Sequence, residues 1–149
     1  MAVKALPTVP SHAPGHGVAQ ILNTSIIGVK ADQVDAGDYA GDTTTQLFTA
    51  PAQCFVFDVI MNISEAFSAS TTMTIGDGDD ADRFFDTTSA APTVAGFKSM
   101  KQDANPGSGG HVYAAQDTID LVLSGATPTA GTLDVYLFYT LNASTYLNV

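Results

Sequence analysis

The sequence predicts an all-β fold: a β-sandwich of the jelly-roll kind, preceded by an extended N-terminal arm. Three observations predict it. Cys54 to Ile63 alternates with a period of two, with Phe55, Phe57, Val59, Met61 and Ile63 on one face and Cys54, Val56, Asp58, Ile60 and Asn62 on the other. Turn signals recur at intervals of roughly 8–12 residues, the spacing of strands in sandwiches and barrels. No stretch offers a long helix, and Ser64 to Ser70 reads as a short helical or turn segment.

Residues 1–17 form the arm. Pro7, Pro10 and Pro14, followed through HAPGHG by Gly15 and Gly17, exclude a helix or a central strand. If such an arm is ordered, it lies on something else, most simply a neighbouring subunit. Residues 18–149 form a single domain, in keeping with a chain of 149 residues. Its first strand region is Val18 to Lys30, with a break near Asn23 to Ser25. Ala31 to Thr44 is an acidic, turn-rich loop, and Thr45 to Thr49 is a short strand. Ala50 to Gln53 is a turn built on Pro51. The long strand from Cys54 follows, then a strand at Thr71 to Ile75. Asp82 to Asp86 reads as a short strand or a helical turn. Pro92 to Met100 is a weak strand with Val94 and Phe97 expected to be buried. After the loop Gln102 to Gly110, strands at His111 to Ala114, Thr118 to Leu123 and Thr132 to Leu141 close the fold. Asn142 to Val149 is a short tail, in which Tyr146 and Leu147 are candidate contact residues.

Composition narrows the function. Lys and Arg total 5 against 15 Asp and Glu, a net charge of -10. A phosphate backbone needs a basic footprint, so nucleic-acid partners are not expected. Anionic membranes are disfavoured for the same reason, and no apolar run is long enough to span a bilayer. The N-terminal residues lack the apolar core of a signal peptide, so synthesis in a cytoplasm is expected. Only 13% of residues are charged, well under the usual quarter. Such surfaces are common where subunits pack together. The single cysteine, Cys54, excludes an internal disulfide and reads as a small buried hydrophobe rather than a catalytic thiol.

The acidic turn Gly76-Asp77-Gly78-Asp79-Asp80-Ala81-Asp82 is the strongest candidate site. Clustered hard oxygens on a glycine-containing loop suit Ca²⁺, with Asp77, Asp79, Asp80 and Asp82 as ligands. The calcium-loop spacing and its closing glutamate are absent, however. A solvated hairpin turn, with Arg83 neutralising part of the charge, is therefore preferred and no cofactor is expected. His12 and His16 have a helical metal spacing, but Pro14 and Gly15 between them exclude the helix. His111 follows a glycine loop and is expected at an edge. No nucleophile elbow, phosphate loop or dinucleotide fingerprint is present, so the chain is not expected to be an enzyme. Tyr113, Tyr136, Phe138 and Tyr139 sit on strands at core or interface spacing; without tryptophan they make a poor sugar platform.

Two runs carry a family resemblance: LFTAPAQCFVFDVIMNISEAFSASTTMTIGDGDDADRFF and AAQDTIDLVLSGATPTAGTLDVYLFYT, together spanning Leu47 to Thr140. A T-A-P-A turn leads into a strand, then E-A-F, T-I-G-D-G-x-D-A-D, a D-T-I-D-L strand and a closing V-Y-x-x-Y strand. This pattern resembles small structural proteins of tailed bacteriophages, of the capsid decoration (cement) kind. The arm before Val18 lies outside it. The resemblance implies a virion protein on the outer capsid surface, made in the host cytoplasm. Its partners would be the major capsid protein and further copies of itself, as a homotrimer. Docking residues would come from the arm (Pro7, Pro10, His12, Pro14 and His16) and from Tyr146 and Leu147. The alternative is a tail, spike or adaptor component that contacts host or glycan.

Overall fold

The computed structural model describes residues 26–38, 43–68, 71–102 and 106–141. Nine strands run through them: β1 Ile26–Lys30, β2 Val34–Asp35, β3 Thr43–Ala50, β4 Cys54–Glu65, β5 Thr71–Asp77, β6 Gly96–Ser99, β7 His111–Tyr113, β8 Asp117–Gly125 and β9 Thr132–Leu141. A single α-helical turn, α1, spans Thr87–Ala90. All strand pairs are antiparallel. A six-stranded sheet has the order β1-β9-β4-β6, with β2 also on β9 and β7 also on β4. A three-stranded sheet has the order β3-β8-β5. The β-sandwich is therefore as expected; the strands divide six and three, and their order gives no jelly-roll assignment. The residue-18 boundary of the domain and the whole arm lie outside the described residues.

The core lies between the two sheets. Val59, Met61, Ile63, Leu133, Val135 and Leu137 of the larger sheet face Met73, Ile75, Ile119, Leu121 and Leu123 of the smaller, all essentially buried. Both sheets alternate as a half-covered antiparallel sheet must, apolar inward and mixed outward. One flank is closed by Phe67, Phe84, Phe85, Ala90 and Met100. The short helix there survives because its ends are satisfied. The Asp86 carboxylate accepts from the backbone N–H of Thr88 and Ser89, and Lys98 Nζ donates to the carbonyls of Ala90 and Ala91 at 2.7 and 2.9 Å. On the opposite flank, between β1 and β3, a cavity of about 310 Å³ is lined by Val29, Lys30, Asp32, Leu47, Phe48 and Tyr139 among others.

Three sequence expectations need correction. The alternation in β4 is broken by a bulge between Val56 and Asp58, where they oppose Tyr139 and Phe138. The extra residue shifts the register by one. Cys54 and Val56 therefore join Val59, Met61 and Ile63 inside, while Phe55 and Phe57 turn to the outer face. Val94 and Phe97 were expected to be buried but are 56% and 72% exposed: Val94 lies in the turn before β6, its N–H on the Ala91 carbonyl, and Phe97 lies on the edge strand β6 opposite Asn62, on the outward side. Ser64 to Ser70 contains no helical turn among its described residues: Ser64 and Glu65 end β4, and Phe67 follows in irregular chain.

Candidate functional site

The acidic turn is built at the end of β5. Gly76 is buried, and a Cβ there would meet the Asp80 carbonyl at 2.1 Å, so only glycine lets the turn fold back onto its own strand. Asp77 N–H donates to the Asp80 carbonyl, and Arg83 N–H donates to the same oxygen. The chain then rejoins β5 through an isolated bridge between Ile75 and Phe85.

The four aspartates proposed as ligands separate. Asp77 is turned inward and buried, whereas Asp79 and Asp82 are exposed and Asp80 is half-buried. Both carboxylate oxygens of Asp77 are occupied by protein donors. Oδ1 accepts from the N–H of Asp79 and Asp80 at 3.2 and 2.9 Å. Oδ2 accepts from Arg83 Nε and, at 2.7 Å, from the Tyr113 hydroxyl. Among the described residues no group of three or more His, Cys, Asp or Glu converges as a metal site.

What the turn assembles instead is a polar clasp between the sheets. Asp77 belongs to the smaller sheet and Tyr113 to the larger. His111, two residues before Tyr113 on the same face, stacks edge-on against it with ring centroids 4.6 Å apart. Arg83 Nη1 lies 3.3 Å from His111 Nδ1. A guanidinium only donates, so a hydrogen bond here has Nδ1 as the acceptor, which is the arrangement of a neutral ring with its proton on Nε2. Gly107 seats the neighbouring loop on this arrangement, since a Cβ there would stand 1.9 Å from the Arg83 carbonyl.

The electrostatics follow from burial and these partners. Burial alone would raise the pKa of Asp77. The Arg83 guanidinium, the Tyr113 hydroxyl and the Asp80 N–H outweigh it and hold the carboxyl below its ordinary value. Burial and the bond to Asp77 push the Tyr113 phenol up, so it remains a donor. Burial and then Arg83 hold His111 below its ordinary value. Asp82 is raised, chiefly by its hydrogen bond with Asp80. Cys54 is fully buried, and burial raises its thiol to about 11, which leaves no thiolate for chemistry at neutral pH.

The acidic turn and Arg83 beside it are legible in the sequence, but the specific Asp77–Arg83 pair and the membership of Tyr113 and His111 are not. Only the β4–β7 pairing, Cys54 opposite Tyr113 and Val56 opposite His111, brings them there. The proposed docking residues Pro7, Pro10, His12, Pro14, His16, Tyr146 and Leu147 lie outside the described residues.

The two outer faces differ. On the larger sheet Phe55, Phe57 and Phe138 form a run with centroid separations of 6.5 and 6.3 Å. The Phe138 ring lies over Gly28, whose missing side chain leaves room for it. On the smaller sheet the outward residues are mainly hydroxyl-bearing: Thr72 opposite Ser124, Thr74 and Thr44 on either side of Val122, and Thr49 opposite Thr118.

No protein-family model and no curated protein matches the sequence. Solved structures do share the fold. A chain in the cyanophage Pam1 capsid asymmetric unit is similar with a TM-score of 0.57 and 16% identity, over 95% of this chain and 99% of that one. A chain of the acid-stable capsid of Helicobacter pylori bacteriophage KHP30 gives 0.57 and 12%, over 80% and 94%. A chain of the capsid of Ralstonia phage GP4 gives 0.59 and 13%, over 92% and 91%. High coverage in both directions makes those chains similar in length to this one.

Proposed function

We propose that this chain is a non-enzymatic structural protein of a bacteriophage virion, and more narrowly a capsid decoration protein that binds the outer surface of the head and stabilises it. The observation that carries this reading is the likeness, over nearly the full length of both partners, to chains found in three different phage capsids. The match to chains of similar size favours a small accessory subunit. The polar cluster supports a structural role too: the Asp77 carboxylate is consumed by four protein donors, which leaves it no free lone pair for acid–base work. No cofactor is required.

In this reading the major capsid protein is the partner, and three copies gather at a three-fold position. Residues 1–17, with Pro7, Pro10, His12, Pro14 and His16, act as a docking arm, and Tyr146 and Leu147 add contacts at the other terminus. An arm that engages a neighbouring subunit raises affinity by adding a tethered second contact. Deleting residues 1–17 is expected to leave a folded domain that binds the capsid less tightly.

The deciding experiment is the copy number of the chain in purified particles, measured by quantitative peptide mass spectrometry against the major capsid protein. Hundreds of copies in a fixed ratio support a shell component. A dozen or fewer would place the chain in the tail or at a vertex, and the decoration reading would fall. Complete absence would end the virion reading.

A further inference from the structure

We propose that Val18 to Leu22 of this chain lies as an added strand in a groove between β1 and β3, parallel to β3, and so fixes the point at which residues 1–17 leave the domain. The exit point deepens the docking-arm reading above and rests on it; the seat of the segment in the groove rests on the sandwich itself.

The two flanks of the sandwich are finished differently. At the β5 flank Ile75 bridges Phe85, and Phe67, Phe84, Ala90 and Met100 close the core. The β3 flank holds a groove instead. Two cavities of about 310 and 150 Å³ share Ala31, Asp32 and Leu47 in their walls and run on from one another. One wall runs from Val29 to Val34, the other from Thr49 back to Thr45. Leu47 and Tyr139 are only partly buried where they pack on the core, and both line the groove, so the core is incompletely covered at this place. β3 pairs with β8 along one edge, and its sequence TTTQLFTA carries no charge and no proline. An uncharged edge beside an apolar groove is suited to take a further strand.

The occupant follows from where the chain outside the described residues joins the fold. Residues 1–25 join at the start of β1, three residues before Val29 on the groove wall. Val18 to Leu22 is an uncharged run with one polar residue, Gln20, and five residues match the length of the groove, about 16 Å from Thr45 to Thr49. Asp32, exposed at the mouth, would oppose a segment that carried a carboxylate. Residues 142–149 fit less well: they start from β9, behind β1, with Asn142, Ser144 and Thr145 at the front. A segment tethered three residues away also outcompetes the same segment of a second copy through its effective concentration.

Reach sets the direction. Ile26 lies opposite Thr140, and Cys54, just after β3, lies opposite Leu141, so β1 starts at the end of the sandwich where β3 finishes. From Leu22 to Ile26 the chain spans at most about 14 Å, enough to cross the roughly 10 Å between stacked sheets. An antiparallel placement would carry Leu22 about 16 Å further along β3, and the combined distance of about 19 Å exceeds that reach. The segment therefore runs parallel to β3, with Leu22 beside Thr49 and Val18 beside Thr45. Residues 1–17 then leave at the end of the groove marked by Val34 and Thr45.

The test is amide-to-amide nuclear Overhauser contacts in the full-length chain, deuterated and labelled with nitrogen-15. We expect contacts between residues 18–22 and 45–49 that advance in step, with Leu22 nearest Thr49, and none between differently labelled copies in a mixed sample. Leu22→Asp is expected to speed hydrogen exchange of the β3 amides that point away from β8 by at least about tenfold, while cooperative urea unfolding shows that the variant is folded. Contacts from residues 18–22 to 26–30 would make the segment a hairpin on β1 and overturn the proposal. So would contacts to 45–49 from residues 142–149 or from another copy, the absence of any contact from 18–22 to the groove, or unchanged β3 exchange in Leu22→Asp. None of these results touches the decoration reading, which is decided by the copy number in particles.

Discussion

Replacing Asp77 by Asn tests the clasp most directly. The change is nearly isosteric, so it removes charge without opening a cavity. Asp77 is 1% exposed in its side chain and Arg83 20%. Breaking a buried pair by removing one partner costs about 3–5 kcal/mol, because the remaining charge is left uncompensated. Arg83 retains some solvent, so we expect the lower end, about 3 kcal/mol. The amide also turns one acceptor into a donor, facing either the backbone N–H groups or Arg83 and Tyr113. For a domain of this size about 3 kcal/mol lowers the Tm by roughly 6–12 °C. Urea unfolding followed by circular dichroism measures it as a drop in midpoint at constant m-value. Tyr113→Phe is expected to cost about 1.5–2 kcal/mol, the value of a hydrogen bond to a charged group. The double variant should cost less than the sum, since both changes release the same oxygen. Asp79→Asn and Asp82→Asn, on exposed side chains, should stay within about 0.5 kcal/mol of wild type. If Asp77→Asn also stays within that limit, the clasp does not hold the sheets together. If instead the Asp79 and Asp82 variants abolish a calcium-dependent rise in Tm, the turn is a cation site.

The remaining expectations concern acid, backbone approach and the bulge. His111 has a lowered folded-state pKa, so below its ordinary value of 6.5 the unfolded chain takes up a proton that the folded chain resists. Stability should fall as pH drops through that value, and His111→Gln should remove this step from a plot of urea midpoint against pH. Asp77 is also lowered, so its contribution is present above its ordinary value of 3.8 and is lost at still lower pH; the raised Asp82 works in the opposite sense. Gly107→Ala forces a methyl against the Arg83 carbonyl and should cost more than about 3 kcal/mol in the same assay. Deleting Phe57 should regularise β4 without changing which residues face the core, with a loss below about 2 kcal/mol. Deleting Ile60 should reverse the facing of one side of the strand and abolish cooperative unfolding.

Much of the fold was legible because period-two patterning reports a half-buried strand without reference to the rest of the chain. β5, β8 and β9 fall within a few residues of their expected bounds. Phe97 was not legible, because burial on an edge strand depends on which lane the strand occupies. Asp77 was legible as part of an acidic turn. Its burial was not, since that depends on Tyr113 arriving from the other sheet, 36 residues away in sequence.

The bulge in β4 connects these failures. Without it, Phe55 and Phe57 would share the inward face with Val59, Met61 and Ile63, as simple alternation requires. Burying a phenylalanine stabilises a fold by about 1.5–3 kcal/mol, so turning two rings outward forgoes a substantial part of a domain's net stability. Two gains offset that loss. Inside, Cys54 is the small residue opposite Tyr113, whose hydroxyl reaches Asp77 across the sheets. Outside, the two rings join Phe138 in an aromatic run that a regular strand would not have produced. One inserted residue thus sets both which side chains line the interior beside the polar clasp and which rings the outer face presents.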